Sequence, residues 1–481
     1  MGDECGPGCI SFIRRRWCWI VTMATFLMNV FIVGFLYSFG IINISLQEEF
    51  DIGITTTGWV PTIATGLSLI GAVLADEIIK KTSHQLVAFM GVSLCFSACL
   101  VTSVMPIYPP MIFTFGILYG FGSAFSVTSG MVAIVDWFPK DSCSRATAVA
   151  VAGTSAGMLV FNPITYKLVS DVGWRNTLRI SGFILLVVGY AASATFSKPV
   201  KESLELKQPA ENPETKASLL KTTNATCKNA ISMGPKKSSN ISYVNKLSRN
   251  PYDLLLFPEF WMMFFGIVIS AMSTSLFFFY WVKLLLTMGF DESIAAFATT
   301  AVGASDLAGK LIISLIADYI PFPRLFLFHI ASLSGIGLMF TLMYIKSVVA
   351  VFITSIGIGM LVLSLINTSP YTSTFQVFPG RGAKPMTTSI IAVGIGIILG
   401  TVYGTSADLT GSFDGTLYSC IGAYCLAIIL FSSVPLYQKN FAIERYVMWD
   451  YVYRYRWTQR AQKTNPNLET RKHFDSPKMI C

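Results

Sequence analysis

Charge in this chain is confined. It collects at residues 11–16, 76–84, 198–259 and 435–481, and between these places run long apolar stretches. Each stretch is sufficient to cross a hydrocarbon core, which takes ~20 residues of helix. The runs are continuous and do not alternate in ten-residue units, so they predict helices and not the strands of a barrel. Only 13% of the 481 residues are charged and 53% are hydrophobic, with a mean hydropathy of +0.60; a soluble domain carries about a quarter charged residues. The expected fold class is an all-α membrane protein.

Twelve spans are predicted, at roughly 17–42, 53–75, 85–105, 108–134, 145–168, 175–197, 259–285, 293–317, 325–345, 349–370, 385–406 and 415–437. The first follows Arg14-Arg15-Arg16 without a small-residue cleavage site, so it is expected to stay as a helix. The connections alternate in charge. One set carries Arg14–Arg16, Lys80, Lys81, Lys140, Arg145, the Lys-rich 198–250 segment, Arg324, Arg381, Lys384 and a basic tail. The other carries Glu48, Glu49, Asp51, Asp291, Glu292, Asp408 and Asp414, with Lys167, Arg175 and Lys346 against the trend. Positive loops stay in the cytosol, which predicts a membrane protein with both termini and the 198–258 loop cytosolic. That loop has the polar, Lys-rich composition of disordered segments, and its sequons at Asn224 and Asn240 are expected to stay unglycosylated. The ten cysteines show no repeated spacing, which predicts free thiols and no metal framework.

The halves repeat. "GAVLADEIIKK" ends the second span and "ISLIADYIPFPR" the eighth, setting Asp76 and Asp318 242 residues apart. "WFPK" precedes the fifth span and "VFPG" the eleventh, setting Phe138 and Phe378 240 apart. Two landmarks with nearly one offset predict a duplicated six-helix unit: a cytosolic N-terminus (1–16), a bundle (17–197), the central loop (198–258), a second bundle (259–437) and a cytosolic basic tail (438–481). Two pseudo-symmetric bundles are transporter architecture, with the substrate site near the midplane between them.

One stretch conflicts with lipid. "VGASDLAGK", residues 302–310, sets Asp306 and Lys310 one helical turn apart in the eighth span. At 1.5 Å per residue Asp306 lies ~18–21 Å from either end of a helix over 292–318, and Lys310 lies ~12 Å from Asp318. Neither charge reaches an interface with ease. Each costs ~2.5–3.5 kcal/mol at such depth, whereas an exposed pair one turn apart returns only ~0.2–0.5 kcal/mol. A water-filled cavity, a proton or an anionic ligand would make up the difference. Ionisable residues at this depth mark substrate or ion paths, although a permanent lock to a neighbouring helix is the alternative.

Several motifs, in order, resemble the monocarboxylate transporter family of the major facilitator superfamily. "RRRWCWIVTMATFLMNVFIVGFLYSFG" is similar to its first-helix signature, and "WFPKDSCSRATAVAVAGTSAG" to the one leading into its fifth helix. "GWRNTLRISG", "VGASDLAGKLIISLIAD" and "ADLTGSFDGTLYSCIGA" resemble its sixth helix, its eighth helix and its last connection. The likeness covers residues 14–200 and 255–437. The chain also departs from the pattern. The eighth-helix arginine of the family is Lys310, which keeps the charge without the planar fork. The first-helix lysine of the proton-coupled lactate carriers is Ile41.

The resemblance implies a secondary transporter of small organic anions, monocarboxylates foremost, working by alternating access. In chemical terms Lys310 would attract a substrate carboxylate. Asp306 would compete for Lys310 when the site is empty and take a proton when the carboxylate arrives, since burial favours the neutral acid and a nearby cation the charged one. Tyr37 occupies the family's cavity-lining tyrosine position; Asn29 faces inward or bonds a neighbouring helix. The resemblance assigns Asp76 and Asp318 to gate contacts, the bland alternative being solvated charge. It also brings the expectation of an ancillary single-span glycoprotein. No cofactor, metal, nucleic-acid partner or enzymatic activity is expected, and no phosphate-binding loop for an ATP-driven pump is found. Two other readings stay open: an uncoupled facilitator of aromatic amino acids or related aromatic acids, to which the run "SLFFFYW" is suited, and a ligand-sensing receptor without net flux that recruits partners through its tail.

Overall fold

The computed structural model describes residues 7–138, 140–197, 253–316, 323–378 and 384–441. Asp318, both sequons, His473 and almost all of the central loop and basic tail lie outside the described residues. Among the described residues the regular structure is helical throughout. Eleven helices are long and apolar enough to cross a membrane. The longest, Lys140–Ala194, is two helices meeting at Gly173, whose left-handed backbone (φ 79°) breaks the helix in a way a side chain would strain. Twelve crossings result. They are α1 (Arg16–Phe50), α2 (Ile54–Lys81), α3 (His84–Ser103), α4 (Ile112–Trp137), α5 (140–172), α6 (174–194), α7 (Pro258–Thr287), α8 (Glu292–Ile316), α9 (Phe326–Met343), α10 (Val348–Ser369), α11 (Pro385–Thr410) and α12 (Asp414–Phe441). All belong to one compact unit. Their even number returns the chain to the face from which it started.

The helices outrun the apolar stretches that predict them. Helix α1 continues past the expected end at 42 to Phe50, so Glu48 and Glu49 ride on its last turns. Backbone hydrogen bonding does not stop where hydrocarbon does. The extension explains why Arg175 runs against the charge pattern. Its guanidinium bonds Glu49 at 2.5 Å and lies 4.4 Å above the Trp174 ring, while the Trp174 indole donates to Glu49 at 2.6 Å. The basic residue is held by an acid of its own face.

Four helices contain a wide π-helical stretch: Asn29–Val33 in α1, Ile112–Tyr119 in α4, Leu276–Tyr280 in α7 and Ile358–Leu363 in α10. They recur at every third helix, a finer period than the six-helix duplication predicted from sequence. Such turns cluster at functional places because they leave backbone groups displaced from the regular ladder. The duplication itself reappears in packing. Gly34 of α1 meets Gly157 of α5 so closely that a Cβ on either would strike the other's backbone, and at the corresponding place a Cβ on Gly400 of α11 would strike the Ser275 side chain and the Met272 carbonyl of α7. In lipid, where apolar surface gains nothing from leaving the solvent, small residues of this kind are what allow helices to approach.

Helix α2 carries Pro61 in its interior, which removes the amide that would bond the Thr57 carbonyl. The Tyr108 hydroxyl fills the gap, 2.9 Å from the carbonyls of Thr56 and Thr57. A freed backbone acceptor is thereby satisfied inside the protein, as a membrane requires.

Among the described residues, the meetings of first-half helices with second-half helices include three close crossings. At α1/α7 the Tyr37 ring stacks on Phe278, centroids 4.4 Å apart, and Gly40 abuts the Phe278 and Phe279 carbonyls. The aromatic run Phe277–Trp281 is buried throughout, so its rings serve this packing. At α2/α11 Gly66 abuts Gly394 and Ile398, and the hydroxyls of Thr62 and Thr401 bond at 2.6 Å. At the tip of this crossing the exposed carboxylate of Asp408 accepts from the amides of Ile54 (2.6 Å) and Thr55 (2.8 Å), the first two of α2. The acid that caps α2 comes from the other half of the chain. Its approach requires Gly53, where a Cβ would stand 3.0 Å from both carboxylate oxygens. The third crossing, α5/α8, holds the charges.

Asp408→Ala should therefore weaken this junction by ~0.5–2 kcal/mol, the range for losing a helix cap. The expected result is faster labelling by a thiol reagent of a cysteine placed at Thr62; an unchanged rate would show that the cap does not hold the crossing closed. Gly157→Val should lower the melting temperature through overpacking worth ~1–3 kcal/mol, and a melt equal to the parent's would contradict the close approach to Gly34.

Candidate functional site

Helix α8 is held on two sides by residues that lack bulk. Towards α5, a Cβ on Gly303 would stand 2.8 Å from the Met158 Cβ and 3.1 Å from the Leu159 amide nitrogen. Towards α10, Gly309 lies against Ser364, and Gly359 against the backbone of Val302 and Asp306. These approaches fix the helix so that Asp306 and Lys310 stand in the seam between the halves. Asp306 is 1% exposed and Lys310 9%. Neither faces lipid.

Lys310 has three N–H bonds to give, and all three are placed. Nζ donates to Asp306 Oδ2 at 2.8 Å, to Ser155 Oγ at 2.8 Å and to Thr154 Oγ1 at 3.2 Å. The Ser155 hydroxyl passes its own proton on, donating to Asp306 Oδ2 at 2.6 Å, while Thr154 donates to the Val151 carbonyl at 2.9 Å. The sequence predicts the acid and the base as a pair, and the structure brings them together. It adds what the pair alone lacked. Hydrogen bonds to charged groups contribute ~1.5–3 kcal/mol each, so three of them together with the ion pair are of the size needed to hold two buried ions. One valence is left over. Asp306 Oδ1 is buried and has no hydrogen-bond partner among the described residues.

Thr154 and Ser155 were not singled out in the sequence. The signal for them there is slight: two adjacent hydroxyls within "AGTSAG", in an otherwise aliphatic span. Asn29 lies near them but points its bonding elsewhere. Its side chain packs on Gly153, the residue before Thr154, and its amide donates to the Thr25 carbonyl of its own helix at 3.0 Å. The bond of its amide is thus within its own helix, and its side chain faces α5. Tyr37 belongs to the α1/α7 crossing described above. Asp76 pairs with Lys80 of its own helix at 2.7 Å, with both side chains about half exposed; Asp318, its predicted counterpart, lies outside the described residues. Ile41, where the lactate carriers have lysine, is buried. Among the described residues no cluster of His, Cys, Asp or Glu is arranged to hold a metal ion. His84 bonds Asp136 and His329 bonds Ser432, each at 2.8 Å, as parts of helix contacts.

A cation at the junction of two helical halves, matched to an acid and to hydroxyls from the facing half, is equipped to bind a small anion and to report its presence to both halves. The chain is 21% identical to monocarboxylate transporter 12 of Mus musculus over 304 residues, 63% of this chain and 61% of that protein. It is 26% identical to human monocarboxylate transporter 6 over 180 residues, 37% of this chain and 35% of that protein. It is 25% identical to the agnestins efflux protein AgnL12 of Paecilomyces divaricatus over 324 residues, 66% of this chain and 64% of that protein. In each case the matched stretch spans less than two thirds of the relative. The profile of the Major Facilitator Superfamily matches residues 18–401, so this multi-pass, all-helical membrane protein belongs to that superfamily.

Proposed function

We propose that this protein carries small monocarboxylate anions across the plasma membrane by alternating access, with a proton moving alongside. The observation that supports it is the placement of Lys310: a buried ammonium at the seam, its three donors shared between an acid and two hydroxyls. A carboxylate entering the seam competes with Asp306 for that ammonium. When it wins, Asp306 loses its cation and takes a proton, for which Oδ1 is the available acceptor. Proton and anion then cross together without net charge. The names of the monocarboxylate transporter relatives support the substrate class, and that of the fungal efflux relative supports transport.

In this reading residues 17–197 and 259–437 move against each other, the charge pattern of the connections puts both termini in the cytosol, and Tyr37 and Asn29 border the path. Asp76 and Asp318 gate the cytosolic helix ends. An ancillary glycoprotein would serve delivery and not transport. The receptor alternative differs in one respect, that ligand binds without crossing.

The test is uptake into proteoliposomes of labelled acetate, lactate, pyruvate, butyrate and phenylpyruvate over a range of pH. Uptake of one or more, faster towards acid pH, is expected; binding without uptake of any would favour the receptor. Lys310→Ala should weaken half-saturation by ~10- to 100-fold, the equivalent of one bond to a charged group, and unchanged kinetics would remove the anion site. Asp306→Asn should keep uptake but flatten its pH dependence. If that variant retained the full pH response, the proton would have to travel elsewhere.

The pair also makes a stability prediction. Lys310→Ala leaves Asp306 buried without its cation, a loss of ~3–5 kcal/mol for a broken buried pair. Adding Asp306→Asn should restore much of the melting temperature. A double variant no more stable than the single one would mean that the two side chains do not depend on each other.

A further inference from the structure

Asp306 and Lys310 sit on one helix, so their ion pair survives any motion of α8 away from α5. What crosses the seam is hydroxyl chemistry. The links are Lys310 Nζ to Thr154 Oγ1, Lys310 Nζ to Ser155 Oγ, and Ser155 Oγ to Asp306 Oδ2. Ser155 is wholly buried, as is Met158 one turn along, where Gly303 meets it. The network is closed on itself. The ammonium has no donor left and the Ser155 hydroxyl has spent its one proton on Asp306, so Lys310 gains a new partner only by giving up one it has.

We propose that Thr154 and Ser155 form a clasp that holds the α5/α8 seam shut in the unloaded protein, and that a carboxylate reaching Lys310 releases it by drawing off the donors now aimed at α5. The second clause rests on the anion reading above; the first does not. The other crossing of similar design, α2/α11, is joined in its buried part by the neutral Thr62–Thr401 pair. Hydrogen bonds with an ionised partner are roughly twice as strong as neutral ones; at α2/α11 such bonds are those of Asp408 at the exposed tip, whereas at α5/α8 they lie buried on Lys310, where a bound anion can loosen them. The steric fit of the seam, Gly303 against Met158, does not involve either hydroxyl. Removing them should change how often the seam opens and leave its packing alone. Ser155 and Thr154 are thus positioning residues acting through Lys310 and Asp306.

Opening is measured without substrate by placing a cysteine at Met158 in the full-length protein and following its reaction with a maleimide, with the parent chain as background. Adding Ser155→Ala should speed labelling by about tenfold, the effect expected for losing bonds to two charged groups in part compensated by water. Of the bonds across the seam Thr154→Val removes only the longer one, besides a bond within α5, and should speed labelling by about threefold. Ser155→Thr keeps a hydroxyl and should label at the parental rate. Labelling of Ser155→Ala at the parental rate, or of Ser155→Thr as fast as Ser155→Ala, overturns the clasp; if Ser155→Ala does not fold, Thr154→Val decides alone. Butyrate in excess should speed labelling of the parent and add nothing to Ser155→Ala. If butyrate changes nothing while Ser155→Ala still labels fast, the clasp stands and the anion reading falls.

Discussion

A polar group inside a membrane must find its partner inside the protein, and much of this structure is arranged around that requirement. The carbonyl that Pro61 leaves without an amide is met by Tyr108. The first amides of α2 are met by a carboxylate from the far half of the chain. The ammonium of Lys310 is met three times over. In each case at least one partner lies on another stretch of chain, so satisfying the group also ties helices together. The same bonds that make the charges tolerable make them mechanical.

The duplicated scaffold supplies the geometry for this, and local chemistry breaks its symmetry. Close crossings recur at Gly34 with Gly157 and at Ser275 with Gly400, in both halves, so the helices approach alike. The seams they frame differ in content. Where α2 meets α11 two threonines bond each other; where α5 meets α8 an acid, a base and two hydroxyls do. A symmetric frame whose buried charge lies on one seam has one buried place where a charged ligand would alter the balance of forces.

The fold was legible in the sequence to a large extent because hydrophobic length is a strong constraint: all twelve crossings fall where apolar runs predict them. Their ends were not, since α1 and α2 continue as helix into polar residues such as Glu49 and Lys81. The repeat was visible in two sequence landmarks, whereas its three-helix substructure depends on π-helical stretches that leave no compositional mark. Of the site, Asp306 and Lys310 were visible because charge in lipid is rare and therefore informative. Thr154 and Ser155 were not, since hydroxyl residues are common in membrane helices and only the register of α5 on α8 shows which ones face a charge. Asp408 was read as loop charge for the same reason: its role depends on Gly53, 355 residues earlier in the chain, letting it approach.

That register also gives a physical sense to the lysine. A guanidinium presents a planar fork suited to a single carboxylate taken with two parallel bonds. An ammonium presents three donors spread in space and satisfies three separate acceptors. Here the acceptors are one carboxylate on α8 and two hydroxyls on α5. A fork committed to Asp306 would leave the hydroxyls of the facing helix poorly served, and the seam would be joined less directly to the charge. With lysine the attachment of α8 to α5 and, in the proposed function, the attraction for an anion reside in the same three N–H bonds. Binding and release of the seam then compete for one set of donors, and that competition is the simplest way for a static arrangement of four side chains to couple an event at a site to a movement of two halves.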